Sequence, residues 1–339
     1  MSSFKVIISG HLEFGSDRSF EKVRNMFEHK AEVYYKNDIV VTVEQAFDEE
    51  QRLFSVPRTA VMSNDRTWRN TVNIMIMVVQ YSVAGSVGIW KLEDSKLVDH
   101  THLEPKNDKA IVQSFITGRE LLVEGKKTEA KAVLSQTIEK YERHALAYER
   151  RGHVNFLLGN KEDALYDFSK SIDICPTSPD AFMGRAIIHI RSKDYQAAIN
   201  DLDMATKTSI PHQHIYWQAR RMKGECHLNV EEYSKAEFEL KLVTRRTFNE
   251  DDPNFKWAKK ASYEYGLVLL GLQKYEEAIE AFDKSLKMDG GKEKIKEADQ
   301  FFYRGLALKK AGKKGFEKDL NKAVDFGSNQ AAELLASMT

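Results

Sequence analysis

The chain has 339 residues, of which 42% are hydrophobic and 30% are charged, a composition that excludes wholesale disorder. Lys and Arg together number 51, as do Asp and Glu, so the zero net charge gives no global attraction to nucleic acid or anionic lipid. The two cysteines, Cys175 and Cys226, form no disulfide framework and fit a reducing compartment. With neither a signal peptide nor a transmembrane segment in sight, we expect a soluble, cytoplasmic protein.

The first 105 residues mix strand and helix patterns, which predicts a small α+β domain in which we recognise no family. The predicted strands are residues 4–14, 39–43, 71–81, 87–92 and 97–103, and the predicted helices are residues 19–29 and 44–54. The strands 71–81 and 87–92 are expected to pair as a hairpin, and Gly85–Gly88 to form a turn. Residues 106–110, which follow Pro105, are polar and are interpreted as a linker.

Beyond the linker, a small residue is followed after twelve positions by alanine and after four more by a large apolar residue. Gly152, Ala164 and Phe168 form one copy, and the next copy starts 34 residues later at Ala186. Other copies start at Gly118, Gly224 and Gly266, and a degenerate sixth starts at Gly305. Each copy predicts two helices that the small residues allow to approach closely, for example residues 145–158 and 161–174. A single hairpin cannot bury its apolar face, so the copies must stack.

The 34-residue period, the small–alanine–large spacing and the terminal Pro176 resemble the tetratricopeptide repeat (TPR) family, and residues 271–282 are close to its consensus. The resemblance covers about residues 110–330. It implies an α-solenoid of about six TPR hairpins, a right-handed superhelix with a concave groove, preceded by the α+β domain. The expected repeats are residues 111–144, 145–178, 179–212, 217–250, 259–292 and 298–327, followed by a capping helix at 328–339.

In that family the first helix of each pair lines the concave groove. The positions expected here are Phe115, Arg119, Leu122, Glu149, His153, Phe156, Met183, Ile187, Ile190, Arg221, Glu225, Lys260, Tyr263 and Phe302, with Lys309 beyond them. The groove is then apolar in its N-terminal half and mixed in charge beyond, which suits an amphipathic helix or an extended protein segment. For each apolar position the alternative is packing against a neighbouring helix or the chain's own N-terminal domain.

Some family members hold the C-terminal carboxylate of a chaperone with Lys and Asn at fixed first-helix positions. Here Phe115 and Arg119 stand in the first copy and Glu149 and His153 in the second, and no later copy restores the set. Because Phe and Glu donate no hydrogen bond to a carboxylate, we expect a protein or peptide partner other than a chaperone tail.

No phosphate-binding loop or nucleophile motif is found, and we expect neither an enzyme nor a cofactor. The pairs His100–His102 and His212–His214 lack a third ligand at standard spacing, so we expect no metal. Arg66, Trp68 and Arg69 form a cluster that suits stacking on a base, but a loop around a packed tryptophan explains it better.

These patterns favour an adaptor or scaffold that binds a protein segment through the TPR groove. The first alternative is a structural subunit of a large assembly. The second is a targeting module attached to an N-terminal domain with enzymatic or nucleic-acid-binding activity. We expect no membrane partner, and the neutral charge does not favour nucleic acid.

Overall fold

The structure is a computed structural model that describes residues 3–288 and 295–338, so the end of the fifth expected repeat and the chain termini lie outside the described residues. The chain divides into two compact units, Met1–Ile188 and His189–Thr339. The first unit contains a sheet and the first helical hairpins, and the second contains the later hairpins.

The sheet has five antiparallel strands in the order β2-β3-β1-β4-β5. The strands are β1 (Phe4–Glu13), β2 (Phe47–Asp48), β3 (Leu53–Ser63), β4 (Ala84–Glu93) and β5 (Lys96–Leu103). Alternate residues of β1, among them Val6, Ile8 and Leu12, are fully buried in one core. Helices α1 (Asp17–His29), α2 (Val43–Ala46) and α3 (Asp65–Tyr81) contribute to the same core, which explains the period-two burial of the central strand.

The α+β class and the strands near 4–14, 87–92 and 97–103 are confirmed, but the prediction of a strand at 71–81 is wrong. These residues belong to α3, whose first amides, those of Arg66 and Thr67, are capped by the side chain of Asn64. Its buried residues recur every three or four positions, a helical period that the β-branched composition concealed. The hairpin expected between 71–81 and 87–92 is therefore absent.

Two further segments were predicted wrongly. Residues 39–43 form no strand, and the amide of Val40 instead donates to Thr71 Oγ1 at 3.0 Å, which ties this loop to α3. In residues 44–54 the helix ends at Ala46 and strands β2 and β3 follow. Strand β3 was missed because it contains Pro57, which lies at a register shift between β1 and β3, a position that tolerates a missing amide hydrogen.

Gly85–Gly88 form part of β4 and not a turn. Gly85 has a φ of +97°, and a Cβ there would lie 1.9 Å from the carbonyl oxygen of His11 on the neighbouring β1. Glycine is therefore needed for close approach of two strands, which a sequence motif cannot distinguish from a turn.

The described residues after the sheet form six helical hairpins and a final helix. The hairpins are α4 (Ala110–Val123) with α5 (Lys127–Lys140), α6 (Ala145–Leu157) with α7 (Lys161–Ile174), α8 (Pro179–Arg191) with α9 (Tyr195–Thr208), α10 (His214–Asn229) with α11 (Tyr233–Arg245), α12 (Ala258–Gly271) with α13 (Tyr275–Lys287), and α14 (Glu297–Lys310) with α15 (Phe316–Asp325). The predicted helices 145–158 and 161–174 match α6 and α7 to within one residue.

The small residues act as the spacing pattern suggested. A Cβ on Gly266 would lie 2.6 Å from Cε1 of Phe282, and one on Gly224 would lie 2.6 Å from Cγ of Leu240. Each large residue therefore packs directly onto the glycine of its own hairpin, so a side chain at the small position would separate the two helices.

A cation placed just before the small residue joins neighbouring hairpins. Arg151 donates to Asp167 of its own hairpin at 2.7 Å and to Ser135 of the preceding hairpin at 3.1 Å. Two other cations make equivalent bridges: Lys223 reaches Glu239 and Asp203, and Arg304 reaches Asp319 and Asp283. We call these three residues the bridging cations. The partner stands 14 or 15 residues after the small residue in the same hairpin, and 17 after it in the preceding hairpin.

The final helix, α16 (Asn329–Ala336), closes the second unit. Its Ala331 is fully buried in a cluster with Phe302, Leu320 and Ala323, and Leu335 packs against that cluster. The face predicted to be apolar began at Ala332, which is exposed, so the predicted helix is confirmed but its buried face is rotated by one residue.

Candidate functional site

The expected groove positions of the first hairpin pack against the N-terminal part of the chain. Arg119 donates to Glu104 at 2.6 Å, and the Phe115 ring lies 4.6 Å from that of His144. A small cavity there is lined by both groove residues together with Val83, Gly85 and His144. At Phe115 and Arg119 the structure places the chain's own residues where a ligand was expected, whereas Leu122 is half-buried in the core of this hairpin.

A buried carboxylate joins the end of β1 to the segment between α5 and α6. Glu13 is 2% exposed and accepts hydrogen bonds from His11 at 3.0 Å, Tyr141 at 3.0 Å and Arg143 at 3.1 Å. Burial opposes ionisation, but the hydrogen bonds from His11 and Arg143 hold the pKa of Glu13 below its ordinary value. The adjacent His144 is buried, and its pKa falls to about 4, so it is neutral at physiological pH.

The expected groove residues of the second hairpin are also largely covered. Glu149 is buried beside Arg150, with a nitrogen–oxygen distance of 3.4 Å, and burial raises the pKa of Glu149 to about 7. The His153 ring lies edge-on to Phe168 at 5.9 Å, and Phe156 packs against the same core. In α8, Met183 is buried, whereas Ile187 and Ile190 are half-buried.

In the second unit, the first helices of successive hairpins bring several expected residues together. Lys260 of α12 donates to Glu225 of α10 at 2.8 Å, and Arg221 lies 3.4 Å from the same carboxylate. The Arg221 guanidinium stacks 4.1 Å from the ring centre of Trp257. Glu264 lies 3.4 Å from Lys260, and burial raises its pKa to about 8, so it is largely neutral at pH 7.

Aromatic side chains continue this layer from α12 to α14. The ring of Tyr263 lies 6.3 Å from Tyr303 and 5.9 Å from Phe282, and Tyr303 lies 5.0 Å from Phe302. Phe302 is buried, whereas Tyr263, Tyr303 and Lys309 are half-buried. We call Arg221, Glu225, Trp257, Lys260, Tyr263 and Tyr303 the first-helix surface.

Trp257 and Tyr303 were not among the expected residues. Trp257 lies in a 3-10 turn, Phe255–Trp257, in the longer connection before α12, where the repeat spacing gives no register. Tyr303 stands one position after the expected Phe302, and the helical period that marks Phe302 does not distinguish it from its neighbour.

The other motifs have structural roles. Trp68 is buried in the core of the sheet domain and so cannot stack on a base, while Arg66 pairs with Asp38 at 3.2 Å. Arg69 donates to the carbonyl of Asp65 at 3.3 Å. These contacts remove the motif that supported nucleic-acid binding.

The candidate metal ligands and the thiol give no reactive centre. His100 and His102 lie on β5 and His214 begins α10, and residues 3–288 and 295–338 hold no group of three or more His, Cys, Asp or Glu side chains arranged for a metal. Cys226 is fully buried, and burial raises the pKa of its thiol to about 12. No helix within the described ranges is long and apolar enough to cross a membrane.

Comparison with known proteins agrees with the repeat architecture. TPR family models match residues 117–179 and 260–292. Among solved structures, YrrB, described as a TPR protein with an unusual peptide-binding site, has a TM-score of 0.51 at 18% identity, covering 61% of this chain and 98% of that chain. PilF of Pseudomonas aeruginosa has a TM-score of 0.51 at 16% identity, covering 68% of this chain and 98% of that chain. A comparison with curated proteins gives no match.

The helical part of the chain is therefore a repeat scaffold of stacked helical hairpins, the class of architecture that proteins use for protein interaction. Its hairpins are tetratricopeptide repeats, and the chain is a TPR protein with an antiparallel sheet region before the repeats.

Proposed function

We propose that this protein is an adaptor or scaffold that binds a segment of a partner protein across the first-helix surface of the second unit. The observation that carries the proposal is the set of contacts linking α10, α12 and α14. A single layer here presents two cations, a carboxylate and three aromatic rings. Surfaces of this composition give both apolar contact area and directional hydrogen bonds, which are the two components of specific protein recognition.

The residues of the first hairpin contribute less to this surface. Phe115 is buried and Arg119 is already paired with Glu104, so a ligand there would have to displace the chain's own contacts. This moves the proposed binding region towards the C-terminal hairpins, away from the apolar N-terminal half that the sequence favoured.

Site-directed photocrosslinking of the full chain tests the proposal. A photoreactive phenylalanine analogue would replace Tyr303 in the first-helix surface or, as a matched control, the exposed Tyr166 on α7. We expect one partner segment to crosslink at position 303 and not at position 166. A synthetic peptide of that segment should then bind the purified chain, and Lys260→Gln should weaken its binding about tenfold, as expected for one lost charge-assisted hydrogen bond.

Equal crosslinking at both positions, or peptide binding that Lys260→Gln leaves unchanged, would overturn this function. Circular dichroism of each variant separates loss of binding from loss of folding.

A further inference from the structure

The interface between the fourth and fifth hairpins lacks the bridge found elsewhere. In place of a bridging cation it has Tyr265, directly before the small residue Gly266. Ala281 stands 15 residues after that glycine, where Asp167 and Glu239 accept the bridge in other hairpins. Thus both the cation and the acid of the bridge are missing from the fifth hairpin.

The third position of the bridge is changed as well. At the position that holds Ser135, Asp203 or Asp283 in other hairpins, the fourth hairpin carries Lys241. The interface therefore has a cation on its first side, a phenol at its centre and an alanine methyl opposite. It contains no carboxylate at any of the three bridging positions.

A groove of about 320 Å³ lies at this interface. It is lined by Lys241, Thr244, Arg245, Ser262, Tyr265, Glu277, Glu280, Ala281 and Lys284. Ser262 and Ala281 are buried, whereas Tyr265 is half-buried, and its hydroxyl makes no hydrogen bond within the described residues. A groove with an unused donor at its centre is a site where a ligand can supply the missing acceptor.

The charges around the groove indicate the ligand. Lys241, Arg245, Glu277 and Glu280 make no ion pair with any described residue, although they lie around one groove. Lys284 donates to the carbonyl of Thr244 and so reinforces the cationic side. Three cations against two carboxylates leave one net positive charge, which favours a monoanion over a dianion because the acids repel the second charge.

We propose that this groove binds the carboxylate of an acidic side chain on a protein segment, held by Lys241 and Arg245 and accepting a hydrogen bond from Tyr265. The ligand carboxylate would replace the acid that the fifth hairpin lacks at Ala281. This site is separate from the first-helix surface, because Tyr265 lies two residues after Tyr263, about 200° around the same helix.

The test uses the full chain with 3-fluorotyrosine in place of its 13 tyrosines, observed by fluorine NMR at low ionic strength. The Tyr265 resonance is assigned by its loss in Tyr265→Phe. The probes are three short capped peptides that differ at one position: glutamate, glutamine or phosphoserine. We expect saturable movement of the Tyr265 resonance with the glutamate peptide and none with the glutamine peptide.

Three variants locate the binding. Lys241→Met should weaken the glutamate peptide about tenfold, the effect of losing one charge-assisted hydrogen bond. Lys131→Met, which removes a lysine from an exposed ion pair in the first hairpin, should leave the affinity unchanged. Ala281→Asp restores an internal acid opposite Tyr265 and should abolish binding by occupying the groove cations.

Four results would overturn the proposal. These are an unmoved Tyr265 resonance, equal binding of the glutamate and glutamine peptides, equal affinity of the Lys241→Met and Lys131→Met variants, or undiminished binding to Ala281→Asp. Tighter binding of the phosphoserine peptide would overturn the assignment to a carboxylate and identify a phosphoryl group as the ligand instead.

Discussion

The bridge made by Arg151 should contribute far more to stability than a neighbouring ion pair that joins the same hairpins. Asp167 is 1% exposed and accepts hydrogen bonds from Arg151 at 2.7 and 3.0 Å and from Asn155 at 2.9 Å. The control pair, Lys131 with Asp163, also connects α5 to α7, at 3.2 Å, but the Asp163 side chain is 61% exposed. The two pairs therefore differ in burial while joining the same helices.

Replacing Asp167 by alanine leaves the guanidinium of Arg151 without its carboxylate in a site where its side chain is only 18% exposed. Removal of one partner of a buried ion pair costs about 3–5 kcal/mol, because the remaining charge is neither solvated nor paired. The exposed pair is screened by water, so Asp163→Ala should cost less than about 1 kcal/mol. The predicted difference between the two variants is thus about 2–4 kcal/mol.

Native-state hydrogen exchange measures this difference locally, which suits a repeat protein whose unfolding need not be all-or-none. The amides of α6 and α7 should exchange markedly faster in Asp167→Ala and nearly unchanged in Asp163→Ala. In the double variant Arg151→Met with Asp167→Leu, apolar packing should restore most of the protection. If Asp167→Ala cost no more than Asp163→Ala, the reasoning that burial makes this bridge stabilising would be refuted.

Other perturbations give equally definite outcomes. Hydrogen bonds from His102 and a neighbouring guanidinium lower the pKa of Glu104 from 4.5 to about 2 despite its burial, so its stabilising effect is present above pH 4.5 and lost as the pH falls towards 2. Thermal unfolding at pH 7 and pH 3 should show a smaller acid-induced loss in Glu104→Gln than in the wild type. Burial raises the pKa of Glu264 from 4.5 to about 8, so the folded state binds the extra proton and wild-type stability falls as the pH rises through this window. Glu264→Gln should remove that fall, by roughly 1–3 kcal/mol at pH 8, in denaturant titrations at several pH values. Gly184→Ala would place a Cβ 2.3 Å from Cε1 of the buried Phe168, and overpacking of about 1–3 kcal/mol should exceed the gain of about 1 kcal/mol in helix propensity, so its thermal midpoint should fall.

The repeat hairpins were predictable because their determinants are local and recur. Gly152, Ala164 and Phe168 specify one helix contact through their spacing, and other copies repeat the same spacing. The bridging cations were equally visible, as an Arg or Lys before the small residue with an acid about 15 positions later. They were missed because the analysis followed apolar positions only.

The N-terminal domain was less predictable because its sheet joins residues that are distant in sequence. Strand β3 was obscured by Pro57, and residues 71–81 carry β-branched side chains that suit a buried strand as well as the buried face of α3. Intrinsic preferences are weak compared with tertiary packing, so such segments remain ambiguous until their neighbours are known.

The sequence by itself determined the α-solenoid class, the number of hairpins and which helix of each pair comes first, because helix pairing depends on contacts within about 34 residues. Only the tertiary structure decided which first-helix positions are covered. Phe115 and Arg119 meet residues near β4 and β5, while Arg221 and Lys260 meet Trp257 from a loop. Burial of a side chain depends on every element that packs against it, and the repeat pattern describes only its own helix.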